Sequence, residues 1–147
     1  STGVVLAVTG APPVSGYGAW AAAITNGLTN YNESATGDGY PNLLKYATGS
    51  SPTNADHVAK LGAVRNGGTL SLLFNRNTNA VDVTLLVEGN DGLTNEAAWV
   101  GIATNVAGVW SPPVAVETGS GSPVSVTVPD AVSGAASRYL RLRVTLP

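Results

Sequence analysis

The chain has 147 residues, a formal net charge of -2, and Asp, Glu, Lys and Arg at only 11% of positions. That length accommodates one domain with its own core, and so weak a charge offers no field for nucleic acid or an anionic membrane surface. Absence of Cys excludes a disulfide framework, and no apolar run approaches the roughly 20 residues of a membrane helix.

There is no Met, even at position 1, which points to a processed end, as after removal of a secretory signal, or to a piece of a longer chain. Ordinary soluble proteins carry about a quarter charged residues. A surface built instead from Thr, Asn, Ser and Gly suits a protein packed against copies of itself.

The first element is Gly3-Val4-Val5-Leu6-Ala7-Val8-Thr9, short, β-branched and apolar on both faces. Such a run reads as a strand needing cover on both sides. Gly10-Ala11-Pro12-Pro13-Val14-Ser15-Gly16 then forms a tether that continues neither helix nor sheet. Two placements are open: a first strand in its own sheet, or a strand donated to a neighbouring copy.

Ala19-Trp20-Ala21-Ala22-Ala23-Ile24 contains strong helix formers and Gly27 supplies a stop. Trp20, Ile24 and Leu28, four residues apart, fall on one face. A second short helix is predicted from Pro41 to Ala47, with Pro in its first turn and Gly49 past its end. Leu43, Leu44 and Tyr46 are then placed to pack on Trp20.

From His57 onward the apolar period becomes two. Asn66-Gly67-Gly68 predicts a hairpin between residues 58–65 and 69–75. Alternation follows at Leu70, Leu72 and Phe74, at Val81, Val83, Leu85 and Val87, at Val124, Val126 and Val128, and at Leu140, Leu142, Val144 and Leu146. The expected class is mainly β, an antiparallel β-sandwich with a small two-helix cap near the N-terminus. The expected division is 1–16 strand and linker, 17–56 helical cap, and 57–147 sandwich.

Asp38-Gly39-Tyr40-Pro41-Asn42-Leu43-Leu44-Lys45-Tyr46-Ala47-Thr48-Gly49, then Ser51-Pro52, resembles a segment of secreted bacterial proteins of verrucomicrobial type. There a dockerin- or thrombospondin-type-3-like calcium loop, DxDGDG-x-x-N-L-L-E-Y-A-x-G-x-x-P, follows a Trp-bearing helix and precedes a C-terminal sandwich module. Leu86-Val87-Glu88-Gly89-Asn90-Asp91-Gly92-Leu93 with Trp99, and Arg138-Tyr139-Leu140-Arg141-Leu142-Arg143-Val144, resemble two later motifs of that module. The resemblance implies an extracellular, non-catalytic module.

Calcium loops of this kind place oxygen ligands at positions 1, 3, 5, 9 and 12, with Gly at 6 and a backbone carbonyl at 7. Carried onto this chain, those are Ser34, Thr36, Asp38, Asn42 and Lys45, with Gly39 and the Tyr40 carbonyl. Two leading carboxylates are missing and the closing position is a lysine. The expectation is therefore no metal and no other cofactor, with Lys45 pairing with Asp38 where the ion would stand.

No catalytic set is expected. His57 is the only histidine, beside Asp56, and no G-x-S-x-G elbow or Cys supplies a nucleophile. The nine carboxylates stand singly. Arg138, Arg141 and Arg143 read as a solvated strand face. Trp99 and Trp110 are read as core, with sugar stacking as the alternative use.

Leu73, Leu86 and Tyr139 point away from the core faces of their strands and are predicted to gather into one exposed apolar patch. With Val4, Val5, Leu6, Ala7 and Val8 they make up the expected self-assembly interface. The function expected is an extracellular or cell-surface structural subunit of a filament, pilus-like fibre or surface layer, with copies of itself as partners, reached after signal removal. The alternative is an accessory binding or anchoring module, for carbohydrate or a cell surface, within a larger secreted protein.

Overall fold

A computed structural model describes residues 16–131 and 137–147. The strand expected over residues 3–9 and residues 10–15 of its tether lie outside the described residues, while Gly16, expected to end the tether, opens the first helix. The elements are α1 (Gly16–Ala21), α2 (Asn42–Thr48), β1 (Gly62–Asn66), β2 (Thr69–Arg76), β3 (Thr84–Asn90), β4 (Val100–Val106), β5 (Val109–Ser111), β6 (Val116–Thr118), β7 (Val124–Ala131) and β8 (Tyr139–Thr145). One 3-10 turn, Glu96–Ala98, precedes β4.

The strands form two antiparallel sheets, ordered β1-β2-β7-β6 and β5-β4-β3-β8. This is the expected sandwich. Leu72, Phe74, Val124, Val126 and Val128 of the first sheet meet Leu85, Val87 and Ala103 of the second in one core. Strict alternation puts those side chains inside because every second Cβ of a strand shares a face.

The helical segment shares that core. Tyr17, Ala21, Ile24, Leu43, Tyr46 and Ala47 are buried in it, and α2 packs on β2 and β8, one strand from each sheet. Tyr17, Trp20 and Tyr46 meet at centroid distances of 5.6 to 5.9 Å. The Trp20 Nε1–H donates to the Ser50 carbonyl at 3.1 Å.

Several sequence expectations are corrected. The first helix begins at Gly16 and ends at Ala21, and Leu28 is exposed. Asp82 accepts the Tyr17 N–H at 2.9 Å and thereby fixes the earlier start. The first sandwich strand begins at Gly62 because a turn, with the Lys60 N–H on the His57 carbonyl, occupies the preceding residues. β3 begins at Thr84 and leaves Val81 63% exposed. Asp82, engaged with Tyr17 and Tyr46, holds that approach in a turn.

Leu73, Leu86 and Tyr139 do not form one patch. Leu73 lies in β2, paired with Gly62 and Thr127, while Leu86 and Tyr139 lie in the other sheet. β2 and β3 follow each other in sequence but do not pair, so no hairpin brings Leu73 and Leu86 together.

α2 ends in a tight carbonyl-capping turn. Ser50 N–H reaches the Lys45 carbonyl at 2.8 Å, and Gly49 N–H reaches that of Tyr46 at 3.3 Å, with Gly49 at φ 85°. A Cβ at Gly49 would meet the Pro123 ring at 3.0 Å. Left-handed backbone costs a non-glycine residue about 1–2 kcal/mol before that contact is counted. Gly49→Ala is therefore expected to destabilise the chain by at least about 1 kcal/mol in chemical denaturation, whereas Gly67→Ala in the open hairpin turn, with φ 58° and no neighbour within 4 Å, loses less.

Candidate functional site

The loop between the helices is organised from Asn42 outward. Its side chain is fully buried and makes three hydrogen bonds to backbone. Oδ1 accepts the Ala35 N–H at 3.1 Å, and Nδ2 donates to the carbonyls of Leu28 and Asn30, each at 2.8 Å. Asn42 N–H donates to the Glu33 carbonyl and Leu43 N–H to that of Tyr31. Asn42 is thus a strut of the loop, its side chain engaged with backbone.

Ser34, Thr36, Asp38 and Lys45 do come together. The Lys45 side chain is 1% exposed, and its ammonium donates to Thr36 Oγ1, Asp38 Oδ2 and the Asn54 carbonyl, each at 2.8 Å. Those three oxygens match the three N–H donors of an ammonium. Asp38 Oδ1 takes the Tyr40 N–H at 3.1 Å and the Ser34 hydroxyl at 3.2 Å. Burial alone would raise the Asp38 pKa, but Lys45, the Tyr40 N–H and Thr36 together hold it down to about 2.

A divalent ion does not fit these residues. The ammonium already sits among the oxygens a cation would take, and one carboxylate cannot balance a second, larger charge. No group of three or more His, Cys, Asp or Glu residues suited to a metal occurs among the described residues.

The Asn54 carbonyl was not foreseen. It is presented by a loop in which Ser51 Oγ accepts the Thr53 and Asn54 N–H groups and Asp56 accepts those of Ser51 and Val58. Both Asp56 oxygens are therefore occupied by backbone, and Asp56 does not orient His57 as a base. A second unforeseen anchor is Asp82, which accepts from the Tyr17 N–H and the Tyr46 hydroxyl. Burial and the neighbouring Asp82 raise the Tyr46 pKa, so its proton stays in place.

The arginines in and just before β8 are not simply solvated. Arg138 pairs with Asp130 at 2.6 Å and Asp91 at 3.1 Å, and Arg141 pairs with Glu88 at 2.8 Å and also with Glu96. Arg141 lies 4.2 Å above the Trp99 ring, so Trp99 is a covered surface residue rather than core. Trp110 packs edge-on against Phe74 and donates to Glu117, which Arg76 grips with two bonds.

A largely apolar trough of about 410 Å³ lies along β8, with Tyr31, Pro41, Leu43 and Leu44 facing Leu142 and Val144, and with Glu96, Arg141 and Arg143 also among its lining residues. A second hollow of about 450 Å³ continues past Tyr31, Leu43 and Val144 to Leu146 and Pro147. Comparison with protein-family models, curated proteins and solved structures found no match for this chain.

The lysine leads to three expected outcomes. Calorimetric titration of the wild-type chain is expected to show no micromolar calcium binding, while Ser34→Asp with Thr36→Asp and Lys45→Glu is expected to create it. Lys45→Met leaves the Asp38 carboxylate buried without its counter-charge and is expected to cost about 3–5 kcal/mol in urea denaturation at neutral pH. The folded Asp38 pKa of about 2 lies below the unfolded value near 3.9, so its stabilisation is present above about pH 4 and is lost as pH falls through about 2. The stability gap between wild type and Lys45→Met is expected to narrow over that window.

Proposed function

We propose that this protein is a non-catalytic structural subunit that works outside the cell and assembles with copies of itself by donating the strand at residues 3–9. One observation carries the reading. All eight described strands come from residues 62–145, and β8, seven residues long, ends its sheet with no further strand beside it among the described residues. An unpaired edge of that length is a template for another chain. Residues 3–9 are apolar on both faces and require cover that a strand in solvent lacks, at about 25 cal/mol per Å² of exposed apolar surface.

The carbohydrate-binding alternative has less support. Trp99 carries a guanidinium on its face and Trp110 is packed on Phe74, so neither offers a free ring to a sugar.

Deletion of residues 1–9 tests the reading. Sedimentation velocity is expected to show concentration-dependent polymers for the full chain and folded monomers for the truncated one. A synthetic peptide of residues 1–9 is expected to raise the melting temperature of those monomers. Polymers of the truncated chain would refute strand donation.

A further inference from the structure

The two sheets end in four strands, and three of them are poor acceptors. β5 and β6 have three residues each, and β5 runs directly into Pro112 and Pro113, which carry no N–H. β1 is exposed along all five residues, so a strand added beside it would gain no apolar cover. β8 differs in both respects. It has seven residues, and the trough walled by Tyr31, Leu43, Leu44, Leu142 and Val144 lies along it. The charge of Arg141 is already met by Glu88 and Glu96, and Arg143, which also lines the trough, lies 3.7 Å from Glu88.

The apolar part of the trough, Tyr31, Leu43, Leu44, Leu142 and Val144, suits an extended segment whose alternate side chains are small and branched. Residues 1–15 contain no charged side chain, and Val4, Leu6 and Val8 fall on one face of the strand they encode. Seven residues of strand span about 23 Å, the same as β8.

The path of the chain decides whose β8 is filled. Tyr17 is anchored on Asp82, just before Thr84, and Thr84 pairs with Thr145 at the far end of β8. A short tether from that point would lay residues 3–9 parallel to their own β8. Antiparallel addition within one chain would stretch the seven tether residues, Pro12 and Pro13 among them, along the whole strand, near their limit of about 24 Å. A neighbouring copy meets no such constraint, and antiparallel pairing is the more stable.

We propose that the β8 edge and its trough accept residues 3–9 of a second copy, antiparallel to β8, with Val4, Leu6 and Val8 in the trough. This rests on the strand-donation reading and names its acceptor. The contact is head-to-tail and leaves each copy with one strand to give and one edge to fill, so it propagates.

The chain has no cysteine, so single cysteines report contacts cleanly. Full-length Ala7→Cys is mixed with full-length Tyr139→Cys, Arg143→Cys or Thr145→Cys, oxidised, and resolved by mass. Ala7 would share the outward face with those positions. A mixed disulfide is expected with at least one of them and not with Val64→Cys on β1. Adding Tyr31→Arg and Leu44→Arg to the acceptor copy is expected to cut its yield about tenfold or more. Should that pair unfold the chain, Tyr31→Arg alone serves, since Tyr31 is 56% exposed.

Polymers that crosslink only through β1, or that ignore the Tyr31 and Leu44 changes, would overturn the β8 acceptor while leaving strand donation standing. Chains monomeric at every concentration would overturn both. A chain carrying Ala7→Cys and Arg143→Cys together that closes on itself as a monomer would show the strand kept by its own sandwich, and would overturn the proposal.

Discussion

The Lys45 ammonium, almost completely shielded from water and bonded to three oxygens, is the contact on which the helical half of the molecule depends. Taking a charge out of water costs several kcal/mol unless geometry repays it. Here the repayment is close to complete, because Thr36, Asp38 and Asn54 use every donor and the second Asp38 oxygen is also bonded. Thr36 and Asp38 belong to one loop and Asn54 to another, so the ammonium closes two loops onto one helix. A bound cation would tie the same loops only as far as its concentration exceeds its dissociation constant. A lysine is always present, and its hold on the loop varies with pH through Asp38 instead.

Helix α2 carries that constraint into the sandwich. Lys45 is on one side of it, while Leu43, Tyr46 and Ala47 lie in the common core. Its far end is tied to the residue just past β2, where the Asn77 N–H and side chain donate to the Ala47 and Tyr46 carbonyls at 2.8 and 3.0 Å. The Tyr46 hydroxyl meets Asp82, which also receives α1 through Tyr17. Two helices of six and seven residues are too short to be stable alone. They persist because each end is bonded to something rigid.

What was legible in the sequence follows the same physics. β7 alternates strictly and was readable, as was α2, with Pro41 before it and Gly49 after it. β4 was not, because an extra residue at Ile102 breaks its pairing with β3 between Val87 and Glu88 and spoils the period of two. β5 and β6 are too short to show any period. In the loop, the Lys45–Asp38 pair could be read from side chains. The Asn54 carbonyl could not, since a backbone group leaves no mark in the sequence. The separation of Leu73 from Leu86 depends on which sheet each strand joins, and alternation within a strand carries no information about that.

The loop and the edge of the sandwich are mechanically one feature. Leu43 N–H is bonded to the Tyr31 carbonyl and Asn42 N–H to that of Glu33, so the loop residues move with the first turn of α2. Tyr31, Pro41, Leu43 and Leu44 are the wall of the trough that faces β8. Asn42 and Lys45, one turn of helix apart, hold that wall from behind by satisfying its backbone and its charge. A loop free to move would collapse onto the half-buried Leu142 and Val144 of β8 and fill the space beside the strand. A loop pinned by a covalently attached cation keeps that space open without a metal. The lysine at the closing position therefore has a structural consequence at the sheet edge, where a second chain would have to enter.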